Sequence, residues 1–174
     1  MGYTNTGKST LFNALTKAGT YAANQLFATL DTTSRRVYLP EICNAVISDT
    51  VGFIRDLPHQ LVEAFRATLD ETVRADLLLH VVDASSFDRE QQMIEVDKVL
   101  EEIGANQSPQ LIVVNKIDQV PALMERGPVL RYDREGRPVA IYISAKEGIG
   151  LDLLRQTLAD IAQNTDRMKA PVEK

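Results

Sequence analysis

Gly2-Tyr3-Thr4-Asn5-Thr6-Gly7-Lys8-Ser9 is the stretch on which the fold turns. It fits the pattern G-x-x-x-x-G-K-[ST]. The two glycines permit backbone angles and a close approach that a Cβ would block. Successive N–H groups of such a loop point inward at one anion. A helix beginning near Lys8 aims the positive end of its dipole at the same place. Lys8 supplies a point charge for the β- and γ-phosphates of a nucleotide, and Ser9 offers a hydroxyl oxygen to Mg²⁺. The candidate phosphate contacts are therefore Gly2, Tyr3, Thr4, Asn5, Thr6, Gly7, Lys8, Ser9 and the adjoining Thr10. Leu11, Phe12 and Leu15 give the helix a buried face, and Gly19 is placed to end it. The motif alone does not choose between ATP and GTP.

Downstream, apolar runs alternate with helical patterns. Ala45–Ile47, Leu77–Val82, Leu111–Val114 and Ala140–Ile143 are strand-length and mostly rich in branched residues, as strands buried on both faces are. Met93, Val96, Leu100 and Ile103 recur at steps of three and four, with Gly104 as a stop signal. Leu151, Leu154, Leu158 and Ile161 repeat that spacing. Leu61, Phe65 and Leu69 form a shorter stripe, with Pro58 suited to a first helical turn. The alternation predicts an α/β fold, a mainly parallel sheet with helices on both faces. Two strand-like segments flank Pro40-Glu41 and predict one antiparallel hairpin at the sheet edge. The charged stretch 126–138, with its glycines and prolines, reads as a loop. Periodicity fades after residue 163, so the domain is expected to occupy 1–163 and a flexible tail 164–174.

Composition narrows the class. The chain has 174 residues, 44% of them hydrophobic and 25% charged, which suits one globular domain. No apolar run approaches the ~20 residues of a membrane span. The net charge of −5 lacks the broad basic footprint of a typical nucleic-acid binder. The single cysteine, Cys43, fits a reducing compartment, and a cytoplasmic monomer is expected. One Cys and two scattered His offer no zinc cluster.

Three further segments belong with the cradle. Asp49-Thr50-Val51-Gly52 follows an apolar strand, and a carboxylate at a strand's C-terminal end sits where parallel sheets bind ligands. Asp49 can hold Mg²⁺ through an inner-shell water, and Gly52 can bring its N–H to the γ-phosphate. Phe27-Ala28-Thr29-Leu30-Asp31 lies between the first helix and the hairpin. A threonine there can complete the Mg²⁺ shell, with Thr29 preferred and Thr33 second. The metal set is then Ser9, Thr29 and Asp49. Asn115-Lys116-Ile117-Asp118 ends a strand. Asp118 can accept from the guanine ring N–H and exocyclic amine, whereas adenine presents an acceptor at the first position and lacks the second donor. Lys116 can lay its stem along the base, and Asn115 can tie this loop to the cradle. Ser144-Ala145-Lys146 ends the next strand, with the Ala145 N–H placed to meet the guanine carbonyl.

With these motifs in this order, the chain resembles a P-loop GTPase, and most closely the HflX family within the Obg–HflX group. The supporting stretches are GYTNTGKSTLFNALT, FATLDTTSRR, DTVGFIRDLPHQLVEAFRATLDE, NKID and SAK. The segment 49–71 is the family-specific one. The resemblance implies a GTP/GDP-binding domain with Lys8, Thr29 and Gly52 in catalytic roles. It also implies binding to the large ribosomal subunit, with splitting or rescue of ribosomes. A role in ribosome assembly or RNA maturation is the alternative within GTPases. Outside them stand an ATP-using P-loop enzyme, which Asp118 opposes, and a non-catalytic fragment.

Two departures carry expectations. Family members have an apolar strand before the cradle, and this chain begins at Met1-Gly2. Four lost buried side chains at ~1.5–3 kcal/mol each approach a whole domain's net stability of ~5–15 kcal/mol. An N-terminally truncated G domain lacking its first central strand, marginally stable and binding nucleotide poorly alone, is therefore expected. Phe53 follows Gly52 where many GTPases place a glutamine that orients water, so hydrolysis is expected to be slow without a partner or a monovalent cation. Arg35, Arg36 and Arg55 are candidate fingers, and Asn5 is a candidate for holding K⁺ against the phosphates. His59 and His80 receive no catalytic role.

Overall fold

The computed structural model describes residues 1–3, 5–17, 33–40, 42–49 and 66–169. Helix α1 (Lys8–Lys17) follows the cradle directly. Strands β1 (Thr33–Leu39) and β2 (Ile42–Asp49) form an antiparallel pair in which Arg36 faces Val46 and Thr33 faces Asp49. Then come α2 (Arg66–Arg74), β3 (Leu78–Asp83), α3 (Arg89–Glu102) and β4 (Gln110–Asn115). A single 3-10 turn (Ile117–Gln119) leads into α4 (Pro121–Arg126). Strands β5 (Val129–Tyr132) and β6 (Pro138–Tyr142) and helix α5 (Leu151–Lys169) complete the chain's described part.

The larger sheet has the order β3-β4-β6-β5. β3, β4 and β6 are parallel, and β5 runs antiparallel along the edge. On the other side of β3 the chain's first residues pair in parallel. Gly2 bridges Val81, the Val81 N–H donates to the Met1 carbonyl at 2.8 Å, and the Met1 ammonium donates to the Leu79 carbonyl at 2.9 Å. The cradle is thus launched from the sheet itself.

Side-chain alternation explains the layers. Val81, Leu111, Val113 and Ile141 face Leu11 and Leu15 of α1 and Leu154 and Leu158 of α5. Val37 and Leu39 of the hairpin join that cluster. On the opposite face Leu78 meets Val96 and Leu100 of α3, the two positions of its apolar stripe that are wholly buried. The strands are buried on both sides, so their runs are apolar without alternation.

One expectation is corrected. The stretch 126–138 is not simply a loop, because β5 occupies Val129–Tyr132. An edge strand has one covered face, so Leu130 packs inward opposite Ile141 while Arg131 lies over the Tyr142 ring at 5.2 Å. The charges and Gly136 belong to the turn, where Asp133 accepts from the Glu135 and Arg137 N–H groups. The hairpin at Pro40 is therefore joined by a second one. Helix α5 continues through Lys169. Once a helix is nucleated, each added residue costs little, and no apolar stripe is needed to carry it on. Gly19, Pro58, Leu61, Phe65 and residues 170–174 lie outside the described residues.

His80 sits on β3 at 2% exposure. Burial, with a smaller contribution from the Met1 amino terminus, lowers its pKa to about 4. The unfolded imidazole titrates near 6.5, so between these values the unfolded chain takes up a proton that the folded one refuses. Stability from this group is complete above pH 6.5 and lost as pH falls toward 4. Unfolding free energy is expected to drop by about 2–3 kcal/mol from this residue between pH 7 and pH 4.5. Denaturant titrations at the two pH values should show a smaller drop in His80→Gln, and an equal drop would refute the assignment.

Candidate functional site

The cradle is built by its own short-range bonds. Thr6, 2% exposed, donates through Oγ1 to the Tyr3 carbonyl at 3.0 Å. Lys8 Nζ donates to the Gly2 carbonyl at 3.1 Å and the Tyr3 carbonyl at 3.0 Å. The ammonium is thereby folded back over the loop, where a phosphate can take it from two neutral acceptors. Burial lowers the Lys8 pKa from its ordinary value, and the Asp49 carboxylate offsets this in part. Asn5 stands at φ 63, an uncommon angle outside glycine that asparagine tolerates. Gly7 has φ +92, and a Cβ there would overlap Asn115 Nδ2. Thr10 is exposed on α1, and Thr4 lies outside the described residues.

The base loop is bolted to the cradle. Register sets Asp83 at the end of β3 beside Asn115 at the end of β4. Asn115, 2% exposed, donates through Nδ2 to the Thr6 carbonyl at 3.0 Å. Its Oδ1 accepts the Ala145 N–H at 2.9 Å. One buried amide therefore joins three loops. Lys116 takes a left-handed backbone, φ 66, and its Nζ donates to the Asn5 carbonyl at 2.7 Å and to Asp83 Oδ2 at 2.6 Å. Asp118 accepts from Ser144 Oγ at 2.6 Å, and Ser144 Oγ in turn accepts the Glu147 N–H at 3.2 Å.

The 144–146 loop is held by Asn115. The Ala145 N–H, expected to meet a guanine carbonyl, donates to Asn115 Oδ1. The reason is the orientation of Asn115: once its Nδ2 is spent on Thr6, its oxygen faces the 144–146 loop. Lys146 does not converge on the site, since its ammonium is exposed and lies 3.9 Å from Glu147. Asp83 was missing from the motif reading. Like Asp49, it is a carboxylate closing an apolar strand.

Ser9 and Asp49, far apart in sequence, meet across the cradle, with Ser9 Oγ donating to Asp49 Oδ2 at 3.2 Å. A hydroxyl and a carboxylate oxygen are hard donors of the kind Mg²⁺ accepts alongside waters and phosphate. Phe27, Ala28, Thr29, Leu30, Asp31, Thr50, Val51, Gly52, Phe53, Arg55 and His59 lie outside the described residues. Arg36 is exposed on β1, and Arg35 extends over the Phe12 ring at 5.3 Å. No described helix is long and apolar enough to cross a membrane.

Known proteins share this sequence and fold. The family model described as "50S ribosome-binding GTPase" matches residues 1–116. The GTPase HflX of Escherichia coli (strain K12) is 49% identical over 173 residues, which are 97% of this chain and 40% of that protein. The GTPase HflX of Caldanaerobacter subterraneus subsp. tengcongensis is 51% identical over 158 residues, 91% of this chain and 35% of that protein. The chain thus spans about two fifths or less of these relatives' length. A GTP-binding protein from the archaeon Sulfolobus solfataricus, solved with GDP, superposes with a TM-score of 0.71 at 30% identity, covering 94% of this chain and 51% of that one. The fold is that of a P-loop GTPase, and the chain belongs to the family of 50S ribosome-binding GTPases, with about 50% identity to the HflX proteins above.

Proposed function

We propose that the chain is the Mg²⁺-dependent, GTP-binding and GTP-hydrolysing switch domain of an HflX-type GTPase that acts on the large ribosomal subunit to split or rescue ribosomes. The observation that carries the nucleotide part is the pair of hydrogen bonds at Asn115, one to Thr6 of the cradle and one from Ala145 beside the base reader. It supports a single ligand gripped at both ends, phosphates by residues 2–9 and base by Asp118. The family description and the HflX relatives support the ribosomal part.

In this reading the Lys8 ammonium leaves the Gly2 and Tyr3 carbonyls for the β- and γ-phosphates. Ser9 and Asp49 hold the Mg²⁺ side, with Thr29 closing it and Gly52 meeting the γ-phosphate. Bound Mg²⁺ supplies neutralisation of phosphate charge. Asp118, oriented by Ser144, reads the purine edge. Segments tied only to the γ-phosphate and metal order and release with its hydrolysis. Phe53 cannot hydrogen-bond a water, so turnover is slow until a partner or cation completes the site.

A competition assay tests the base assignment. GTP should displace a fluorescent guanine nucleotide at a concentration about 10³-fold or more below that of ATP, and equal potency would overturn it. Co-sedimentation with isolated large subunits, stronger with a non-hydrolysable GTP analogue than with GDP, tests the partner. For Asn5, turnover should rise when K⁺ replaces Na⁺ and the rise should vanish in Asn5→Ala; identical rates in the two salts would exclude a K⁺ role.

A further inference from the structure

We infer that Asp83 is a positioning residue for the nucleotide: it holds Lys116 stretched between the base loop and the cradle and so governs how fast a guanine nucleotide leaves. This deepens the function proposed above and rests on it.

The pair is half-buried, with side-chain exposures of 22% for Lys116 and 14% for Asp83. Lys116 starts from the base loop, and its ammonium ends between Asp83 Oδ2 and the Asn5 carbonyl. Its stem therefore spans from the base loop to the cradle, and Cε passes 3.9 Å from where a Gly7 Cβ would stand. A carbonyl alone is a weak anchor for an ammonium that water also solvates. The carboxylate makes it a charge-assisted contact.

Asp83 is itself fixed. Its Oδ1 accepts the Ser85 N–H at 2.8 Å and Ser85 Oγ at 2.6 Å. Ser85 Oγ also lies 3.1 Å from Gln119 Oε1, in the turn that carries Asp118. Partial burial raises the Asp83 carboxyl pKa, but the bonds from Lys116 and Ser85 outweigh it and hold the group below its ordinary value. The carboxylate stays ionised, and Lys116 is ordered before any ligand arrives. Binding then loses less freedom, and the stem stays anchored while the ligand is bound.

Stopped-flow release of a fluorescent GDP analogue tests this on the 174-residue chain. Asp83→Asn should speed release about tenfold, the effect of one charge-assisted bond weakened to a neutral one. Lys116→Met keeps the stem and removes the charge. Asp83→Asn should add nothing in that background, because Asp83 acts through the ammonium. The preference for GDP over inosine diphosphate should be the same in Asp83→Asn as in the parent, since the stem meets the base face and not its edge. Release within twofold of the parent, effects that multiply in the double variant, or a changed base preference would each overturn the inference. A parent chain that binds no guanine nucleotide would overturn the proposed function and this inference together.

Discussion

Gly7→Ala is expected to abolish guanine-nucleotide binding and to lower the melting temperature by about 10 °C or more. Two effects combine. At φ +92 an alanine is strained, by roughly 1–2 kcal/mol. The larger effect is crowding: the new methyl would occupy the place of Asn115 Nδ2. Asn115 is almost wholly buried and cannot swing into solvent. Moving it leaves the Thr6 carbonyl and the Ala145 N–H without their shared partner, at about 1–3 kcal/mol for each group left unpaired. The sum is several kcal/mol, and each kcal/mol lowers the melting temperature of a chain this size by roughly 2–4 °C. Gly104→Ala is the control, because Gly104 has a similar angle, φ +75, but nothing within 4 Å of the added Cβ. Scanning calorimetry should show a small shift for Gly104→Ala and a large one for Gly7→Ala. Nucleotide titration should retain affinity only in the former. Comparable shifts would mean that backbone strain, and not the tie between loops, governs this position.

That tie was half legible in the sequence. Strands buried on both faces announce themselves by continuous branched runs, so β3 and β4 stand where 77–82 and 111–114 predict them. The stripe of α3 is equally plain, because a helix covering a sheet must repeat its apolar residues every three or four. Edge and surface elements carry no such imprint. β5 has one covered face and a charged turn beside it, and α4 buries none of its residues, so neither has a period to read. At the site, motif spacing names Lys8, Ser9, Asn115 and Asp118 because phosphate and purine chemistry dictates those residue types. Ser9 meeting Asp49 follows from the same logic. The partner of Lys116 does not, since any acceptor at the end of β3 would serve. Only the register of β3 against β4 brings Asp83 there. The Ala145 N–H shows the same limit, for its acceptor was decided by where the opposite end of Asn115 is held.

Asp118→Asn is expected to reverse the base preference with little change in stability. Ser144 Oγ donates to Asp118 Oδ1, and an asparagine can accept that bond through its own amide oxygen. The second carboxylate oxygen is replaced by an NH₂ group. Guanine presents donors at both its ring nitrogen and its exocyclic amine, so donor then faces donor, and the negative charge that strengthened the contacts is gone. Two charge-assisted bonds at about 1.5–3 kcal/mol each correspond to a loss of roughly 10²–10⁴ in affinity for GDP. Xanthine carries a carbonyl where guanine carries the amine, and that carbonyl accepts from the new amide. Xanthosine diphosphate should therefore bind the variant better than GDP does and the parent worse. Because the fold-side bond to Ser144 survives, the melting temperature should move by only a few degrees, which separates loss of recognition from loss of structure. Competition titrations with the two diphosphates on parent and variant decide the matter. A variant that keeps GDP affinity within threefold, or loses both ligands equally while folded, would show that Asp118 does not read the purine edge.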